Sequence, residues 1–391
     1  NQETAGYITG LNSYKESNLN RKNLNPEAFR DANSQRISLN LKREYENGIS
    51  LLSPFFRKND MQFLQHFLPG TPVEENRHIS YGFLFKRFLN FEDYSLIGGI
   101  QIEVADAELV ETQANALTTS SAFNNATRPQ GKHYDYEVDS KVYAAFLGID
   151  DLYISRDLLF FADLRTESIK YDYNNRMNSG NIREDGTNCG FGGCYYNRPD
   201  DRSDNYNELS VRAGIETDFD LLNYFFQASL GFRPPQINEA YRLQKKQNVS
   251  DLDSEKLTMI EAGTTFNLDN LKGSVSIYKS KKRNSIFKDS ENFIIDNGKT
   301  NHKGIELTLD INLNETSNLT SNFTYGDHKY DFDSDTSMRE KIRIGNEIDT
   351  SPKLMANLIL DTSINDVLSL TFELEHMDSY FTDAANLHEY E

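Results

Sequence analysis

The feature that most constrains this chain is an alternation of apolar and polar residues that recurs along its length. In the clearest copy, apolar residues occupy every second position: Tyr224, Phe226, Ala228, Leu230 and Phe232. Their neighbours are polar or glycine, apart from Phe225. A period of two residues predicts a β-strand with one apolar and one polar face. Pro234 and Pro235 end this strand, because proline has no N–H to donate to a ladder.

The alternation predicts an all-β chain of about fifteen strands. They lie near residues 6–15, 36–42, 49–57, 78–89, 94–104, 141–148, 157–170, 207–217, 223–233, 257–266, 271–277, 305–311, 319–325, 354–360 and 368–375. Connections alternate between short turns, one of them at Asp150-Asp151, and loops of roughly twenty to thirty-five residues. This asymmetry places the short turns at one end of an antiparallel sheet and the long loops at the other.

The size of such a sheet decides which medium its apolar face meets. A barrel of this many strands is too wide for side chains to fill its interior, so the apolar face must look outward to lipid. Hydrophobic residues make up 37% of the chain, and its mean hydropathy is −0.65. The same values would suit a secreted soluble β-protein, such as an enzyme or an adhesin. We expect a transmembrane up-and-down barrel, because only alternate strand residues contact lipid.

Several short segments resemble those of TonB-dependent outer-membrane receptors. The most extensive is GFRPPQINEAY at residues 231–241. Others follow in the family's order, at residues 254–256, 261–263, 301–307, 351–353 and 380–386, and residues 25–32 also fit. The resemblance implies an outer-membrane location in a Gram-negative bacterium and active import of a scarce ligand, most often a ferric siderophore. It also implies TonB as partner, acting through a plug domain and its TonB box.

The family's barrel has about 22 strands, and neither a plug, a TonB box nor the last strands can be found in this sequence. We therefore expect residues 1–391 to be a partial barrel domain without plug or final strands. A passive porin is the main alternative function, although the family-like segments argue against it. Haem uptake is less favoured, whereas uptake of cobalamin, sugar or oligopeptide stays open.

Charge and motif content exclude other functions. The net charge of −19 argues against a nucleic-acid partner, which would require a basic surface. The seven histidines are scattered without an HExxH motif, so we predict neither catalytic residues nor a metal centre, and no cofactor. Residues 331–335 begin like a calcium loop, but Thr336 and Ile342 occupy its glycine and glutamate positions. The acidic segment 200–204 is more typical of a solvated loop than of a cation site.

The chain has two cysteines, Cys189 and Cys194, within the loop segment NCGFGGCYYNRP. Close spacing in a polar loop predicts a disulfide formed in an oxidising compartment. Two free thiols are the alternative. A zinc site is less favoured, because no second pair of ligands lies nearby in the sequence.

Ligand binding is expected where the longest motif leaves its strand. The candidates follow the strand end in order: Arg233, Gln236, Glu239, Tyr241 and Arg242. Arginines beside aromatic rings can bind an anionic chelate by bidentate hydrogen bonds and stacking. Arg198 and Arg202, in the cysteine segment, are weaker candidates of the same kind. The alternative is that these residues only brace the loop or the plug.

Overall fold

The structure, a computed structural model, describes residues 2–3, 8, 10, 13–217, 219–245, 247, 252–288, 294–334 and 341–390. The strands of these residues are β1 Gln2–Glu3, β2 Phe29–Ser38, β3 Leu41–Tyr45, β4 Gly48–Leu64, β5 Val73–Asn90, β6 Ser95–Gln113, β7 Gly131–Ser155, β8 Leu158–Asn175, β9 Tyr196–Asn197, β10 Arg202–Thr217, β11 Leu222–Arg233, β12 Leu243–Gln244, β13 Glu255–Leu268, β14 Leu271–Lys288, β15 Ile294–Asn314, β16 Ser317–Tyr330, β17 Leu354–Ser363, β18 Ser369–Met377, β19 Tyr380–Phe381 and β20 Glu389–Tyr390. The helices are α1 Ala122–Thr127, α2 Ile237–Tyr241 and a 3-10 turn at Ser13–Lys15. No helix in the described part of the chain is both long and apolar enough to cross a bilayer.

One antiparallel sheet of sixteen strands dominates the fold. Its order is β1-β2-β4-β5-β6-β7-β8-β10-β11-β13-β14-β15-β16-β17-β18, with β3 paired to β4. Each long strand therefore pairs with the long strands before and after it in the chain. This is the up-and-down arrangement that the alternation of short turns and long loops predicts, and the sheet is close to the expected strand number.

The two faces of the sheet differ as the alternation predicts. Tyr224 and Phe226 are 51% and 48% exposed. Phe226 lies in register with the exposed Ile215 of β10, and Ala228 on the same face lies in register with the exposed Ile260 of β13. Phe225 points to the opposite face, where its ring lies over Gly263 of β13. The exposed apolar face is the outer face that meets lipid in a transmembrane barrel, and the other is the inner wall.

Several strands extend further towards the long loops than the alternation indicates. The alternation predicts an end of β6 near Val104, but the strand continues to Gln113. Beyond Val104 the outward-facing residues of β6 become acidic, at Asp106 and Glu108, so the pattern of a lipid-facing strand is lost while the ladder continues. In the same way β15 begins at Ile294 and not at the start of its apolar alternation. These polar extensions project beyond the apolar band into water.

The predicted turn at Asp150-Asp151 is wrong. Both residues lie inside β7, and the ladder with β8 shifts register between Ile149 and Leu152. Such a bulge interrupts the alternation without ending the strand, because one extra residue is left unpaired. The actual turn lies at residues 156–157, between β7 and β8.

The first predicted strands also differ from the structure. Ser13–Lys15 forms a 3-10 turn, and much of the strand expected over residues 6–15 lies outside the described residues. Ile37 and Leu41 belong to two strands, β2 and β3, because the chain breaks the ladder at residues 39–40. A period of two across a short kink cannot be distinguished from a continuous strand by sequence alone.

Candidate functional site

Three long connections meet at the loop end of the sheet. We name residues 114–130 the α1 loop, residues 176–201 the cysteine loop and residues 234–254 the α2 loop. The cysteine loop contacts the α1 loop through backbone bonds from Gly190 N–H to Ala126 O (3.2 Å) and from Tyr195 N–H to Thr127 O (2.8 Å). It joins the α2 loop through the two-stranded sheet of β9 and β12. The three loops thus form one hydrogen-bonded unit.

This unit packs on the inner wall through tyrosine rings. The buried cluster includes Tyr134 and Tyr136 of β7, Tyr173 of β8 and Tyr241 of α2. Tyr241 stacks on Tyr173 with ring centroids 4.5 Å apart, and its hydroxyl donates to Asp204 Oδ2 at 2.7 Å. Burial raises the pKa of the Tyr134 and Tyr136 hydroxyls, so both rings stay neutral. The largest apolar core in the described residues therefore lies at the mouth of the sheet.

An ion-pair network fixes the α2 loop to the far side of the mouth. Arg242 donates Nη1 to Glu74 Oε2 at 2.6 Å and also bonds Glu111 at the end of β6. Gln65 accepts from Arg242 at 3.1 Å and donates to Glu74 at 2.5 Å. The Nδ1 atom of His133 lies 2.9 Å from the second oxygen of Glu111. We name this set, Arg242 with Glu74, Glu111, Gln65 and His133, the mouth latch.

The electrostatics of the mouth latch favour the charged forms of Glu111 and Arg242. Burial alone would raise the pKa of Glu111, but the Arg242 charge and the His133 hydrogen bond outweigh it and lower this pKa to about 2. Burial likewise opposes the charge of Arg242, yet the two carboxylates raise the Arg242 pKa. Removing either partner would leave a buried charge without compensation, which is costly in a low-dielectric site.

The strand end that carries the longest motif is braced in a similar way. Arg233 makes a bidentate pair with Glu239 of α2, at 2.9 and 3.1 Å, and also bonds the buried Glu255. Glu255 receives a further ion pair from Lys282 at 2.8 Å. The backbone N–H of Gln236 donates to Glu239 Oε2 at 2.7 Å, and the Gln236 side chain is exposed. The pairs fix the angle at which α2 leaves β11.

The two weaker candidates are also engaged within the chain. Arg198 is 2% exposed and donates to the backbone carbonyls of Asn178, His133 and Ile182, at 2.7, 3.0 and 2.8 Å. Arg202 donates Nε to Asp204 Oδ2 at 2.8 Å, the same oxygen that Tyr241 contacts. The structure thus brings Arg202 and Tyr241 together at Asp204, and Arg233 together with Glu239. Arg198 and Arg242 are linked through His133, whose carbonyl accepts from Arg198 and whose ring contacts Glu111, the partner of Arg242. Ligand contacts by these residues stay a prediction.

Cys189 and Cys194 are joined by a disulfide, with their Cα atoms 4.8 Å apart. Both are buried against the tyrosine cluster. Gly192 and Gly193 have φ values of 79° and 121°, a region that favours glycine, and so allow this tight turn. The disulfide therefore shapes the part of the cysteine loop that contacts α1.

Sequence reasoning missed Arg128, which follows α1. Its guanidinium lies 4.1 Å from the centroid of the Tyr195 ring, and its Nε atom is buried without a hydrogen-bond partner. The described residues contain no ion pair to Arg128. It lines a small cavity of about 70 Å³ beside the mouth latch and a larger pocket of about 530 Å³ between the α1 and cysteine loops. Arg183 lines the same larger pocket. An arginine before a proline carries no motif that could have indicated this.

One group of three carboxylates could approach a metal ion within the described residues: Asp106, Glu108 and Glu137. They lie on the outer face, above the apolar band. Arg176 donates to Glu137 at 2.6 Å and to Glu108 at 3.0 Å, so two of the three are already paired with a cation. Such exposed acidic groups are common without a metal ion.

Comparisons with known proteins agree with this geometry. The family model "TonB dependent receptor-like, beta-barrel" matches residues 2–386. Among solved structures, the ferric citrate transporter FecA in its unliganded form aligns with a TM-score of 0.69 at 15% identity, over 91% of this chain and 50% of that one. The siderophore receptor PiuA from Acinetobacter baumannii has a TM-score of 0.69 at 13% identity, over 93% and 57%. The copper transporter OprC has a TM-score of 0.68 at 13% identity, over 89% and 52%.

No curated protein matches the sequence significantly. The chain spans about half the length of the solved structures that it resembles. At such low identities the structural likeness establishes the barrel fold alone, whereas the family match rests on the sequence and extends over nearly the whole chain. The family is one of outer-membrane receptors and transporters of Gram-negative bacteria, not of enzymes. This chain therefore belongs to the TonB-dependent receptor β-barrel family.

Proposed function

We propose that this chain is the barrel part of an outer-membrane importer for a scarce ligand, a ferric chelate of the siderophore class. In this proposal the loops capture the ligand at the mouth, and TonB drives its passage by acting on a plug domain. Solved structures of the same fold are described as a ferric citrate transporter, a ferric yersiniabactin uptake receptor and a siderophore receptor. Those descriptions support the choice of ferric chelates as the first ligands to test.

The observation that carries the proposal is the pocket of about 530 Å³ at the loop end. Its lining includes Arg128 and Arg183, the carboxylates of Glu184 and Asp185, and apolar and amide side chains such as Leu117 and Gln130. Both carboxylates already accept backbone N–H groups, Glu184 that of Lys132 and Asp185 that of Thr187. A volume in this range suits a small-molecule ligand. Arginine is the side chain best suited to bind carboxylate or catecholate oxygens, because its planar guanidinium makes parallel charge-assisted hydrogen bonds.

Arg128 is the better candidate of the two arginines. Burial lowers the Arg128 pKa, and an anion in the pocket would offset this cost by pairing with the guanidinium. The ring of Tyr195 holds the guanidinium in place by stacking. By contrast, Arg233 and Arg242 already have carboxylate partners, so a ligand would have to displace those pairs.

The test is uptake of radiolabelled iron by cells that lack their own ferric-chelate receptors and express the complete gene product containing this chain. A panel of citrate, hydroxamate and catecholate chelates would identify the ligand. We expect Arg128→Gln to raise the half-saturating concentration about tenfold or more, since a hydrogen bond to a charged group contributes about 1.5–3 kcal/mol. Arg156→Gln, in the exposed turn between β7 and β8 at the opposite end, is the matched control and should leave uptake unchanged.

Loss of uptake in a strain without TonB would separate active import from passive diffusion. Uptake that continues in that strain would contradict the proposal and favour a porin. Uptake of no ferric chelate, with normal insertion of the barrel, would reject the ligand class. Equal effects of Arg128→Gln and Arg156→Gln would reject the pocket as the capture site.

A further inference from the structure

Two histidines face each other on adjacent strands of the inner wall. His302 of β15 and His328 of β16 are direct cross-strand partners. Their Nδ1 atoms lie 2.9 Å apart, and their ring centroids are separated by 5.1 Å. The sequence shows no motif that joins them, because they are brought together only by the register of the hairpin.

Their neighbours establish the face and height of the pair. Lys303 and Asp327, the next residues towards the short turn, point outward and form an ion pair at 3.2 Å. Ile305 and Tyr325, in the next outward-facing pair, are exposed apolar residues of the lipid-facing band. The histidines therefore lie on the inner face just beyond that band. Their side chains are half-buried beside the buried Thr300, and solvent in the interior can reach them.

The separation of the two nitrogens fits one coordination geometry. Two imidazole nitrogens bound to a metal at about 2.0–2.1 Å and at a right angle lie about 2.9 Å apart, whereas a tetrahedral angle requires about 3.3 Å. Right angles between nitrogen ligands are typical of the tetragonal geometry of Cu²⁺ and Ni²⁺. In this structure the 2.9 Å contact is an N–H···N hydrogen bond between the two rings. Two adjacent positions of a tetragonal site require the same separation, so a metal ion could replace the shared proton without moving either ring.

The surrounding residues orient the two rings. Thr300 Oγ1 lies 2.8 Å from His302 Nε2, and a proton on that nitrogen directs the Nδ1 lone pair of His302 towards His328. The ring of His328 lies over Gly326, where a Cβ atom would come within 2.3 Å of His328 Nε2. Any residue larger than glycine at position 326 would displace this ring. Support of this kind for a metal-binding imidazole is typical of built metal sites.

Charge near the pair is compatible with a cation. A neutral imidazole binds a metal through one ring nitrogen, and each ring here turns its Nδ1 atom towards the other. Lys282 lies on the same face, opposite Thr300, and its ammonium group is paired with Glu255 at 2.8 Å. His328 can bind through Nδ1 when its proton resides on Nε2.

We propose that His302 and His328 form a binding site for a tetragonal divalent transition metal, with Cu²⁺ the preferred ion, on the inner wall of the barrel. The imidazoles supply two adjacent nitrogen ligands, and water fills the remaining positions. Cu²⁺ is favoured over Ni²⁺ because affinity for a given nitrogen site rises towards copper in the divalent series. The site is independent of the proposed capture of a ferric chelate, which depends on the pocket beside Arg128.

The test is titration of the purified, EDTA-treated protein in detergent with Cu²⁺, followed by calorimetry and electron paramagnetic resonance. We expect an axial spectrum with superhyperfine splitting from two nitrogens. His302→Gln and His328→Gln should each weaken binding about tenfold or more and leave splitting from one nitrogen. His78→Gln is the matched control, because His78 lies on the same inner face without a second histidine opposite, and it should leave binding and spectrum unchanged.

A measurement on the unaltered protein guards against variants that fail to fold. Cu²⁺ should protect His302 and His328, but not His78, from carbethoxylation. Mass spectrometry measures the extent of modification at each histidine. The proposal is overturned if the wild-type protein shows no two-nitrogen spectrum, or if the His302→Gln/His328→Gln double variant retains the same spectrum and affinity. Equal protection of all three histidines would also overturn it.

Discussion

Arg242 of the α2 loop donates Nη1 to Glu74 of β5 at 2.6 Å, although four strands of the sheet lie between β5 and β11, from which the loop departs. The loop therefore reaches across the mouth and does not fold over its own hairpin. Glu111 at the end of β6 binds the same guanidinium. Arg242 thus connects the α2 loop to β5 and β6, in addition to the tyrosine contacts with β7 and β8.

Removing this arginine should loosen the loops. Arg242→Met leaves Glu74 and Glu111 buried without their cation, and breaking such a pair costs about 3–5 kcal/mol. We expect native-state hydrogen exchange of residues 234–245 to accelerate accordingly while the strands keep their protection. Lys42→Met is the control, because Lys42 and Glu44 form a solvent-exposed pair whose attraction is screened by water. Equal exchange in the two variants would show that the mouth latch does not hold the loops.

The mouth latch should open in acid. The pKa of Glu111 is lowered to about 2 in the folded protein from its ordinary 4.5, so its contribution to stability is complete above about pH 4.5 and is lost as the pH falls towards 2. Pepsin cleavage within residues 234–254 should rise over this interval. In Glu111→Gln, where the side chain cannot titrate, cleavage should be faster throughout and less dependent on pH. An equally steep rise in this variant would assign the transition to other groups.

Substitution by arginine should have different effects on barrel stability at two neighbouring residues of β14. Val275 faces lipid near the middle of the apolar band, and an arginine there should destabilise the inserted barrel by about 2–4 kcal/mol. Ser274 points to the inner wall, in register with Thr308, so Ser274→Arg should have little effect. Urea unfolding in lipid vesicles measures both variants. Similar losses from Val275→Arg and Ser274→Arg would mean that the faces are assigned wrongly.

Two glycines on the inner wall should differ in their tolerance of a methyl group. At Gly263 a Cβ would lie 2.6 Å from the carbonyl oxygen of Val275 and 2.7 Å from the ring of Phe225. Gly263→Ala should therefore destabilise the barrel by about 1–3 kcal/mol through overpacking. At Gly231 a Cβ would meet nothing within 4 Å, so Gly231→Ala should be neutral. The same urea midpoints test this, and a neutral Gly263→Ala would contradict close packing of Phe225.

The disulfide should stabilise the cysteine loop locally. Replacing Cys189 and Cys194 by serine releases a short closed segment, for which the chain-entropy relation gives a loss of about 2 kcal/mol. Trypsin should then cleave faster after Arg183, within the same loop, while the heat-dependent gel mobility of the barrel is retained. Dithiothreitol should reproduce the effect in the wild-type protein and add nothing in the double variant. Unchanged cleavage would show that hydrogen bonds alone shape the loop.

The strands of the sheet could be predicted well from the sequence, because the alternation of apolar and polar residues that marks each strand is local. Alternation along each strand reflects lipid on one face and water or protein on the other, so Tyr224 and Phe226 identify the outer face without knowledge of their neighbours. The signal fails where both faces of a strand meet water, which is why the extension of β6 to Gln113 was missed. It also fails at the bulge of β7, where Asp151 interrupts the period without ending the strand.

The residues of the loop end could be predicted in part. The sequence indicated a disulfide between Cys189 and Cys194, and it drew attention to Arg233 and Arg242. It could not indicate that both arginines have carboxylate partners within the chain, or that Arg128 lines a pocket. These facts depend on segments that are distant along the chain and meet only after the sheet has formed.

By itself the sequence determined the class of fold, the face that meets lipid and the end at which the loops gather, because each follows from residue type and strand period. Only the tertiary structure decided the partners: Glu74 for Arg242, and His328 for His302. Cross-strand partners depend on register, and a shift of one residue would send a side chain to the opposite face. Register and loop placement are set by the summed contacts of the whole sheet, which no single stretch of sequence contains.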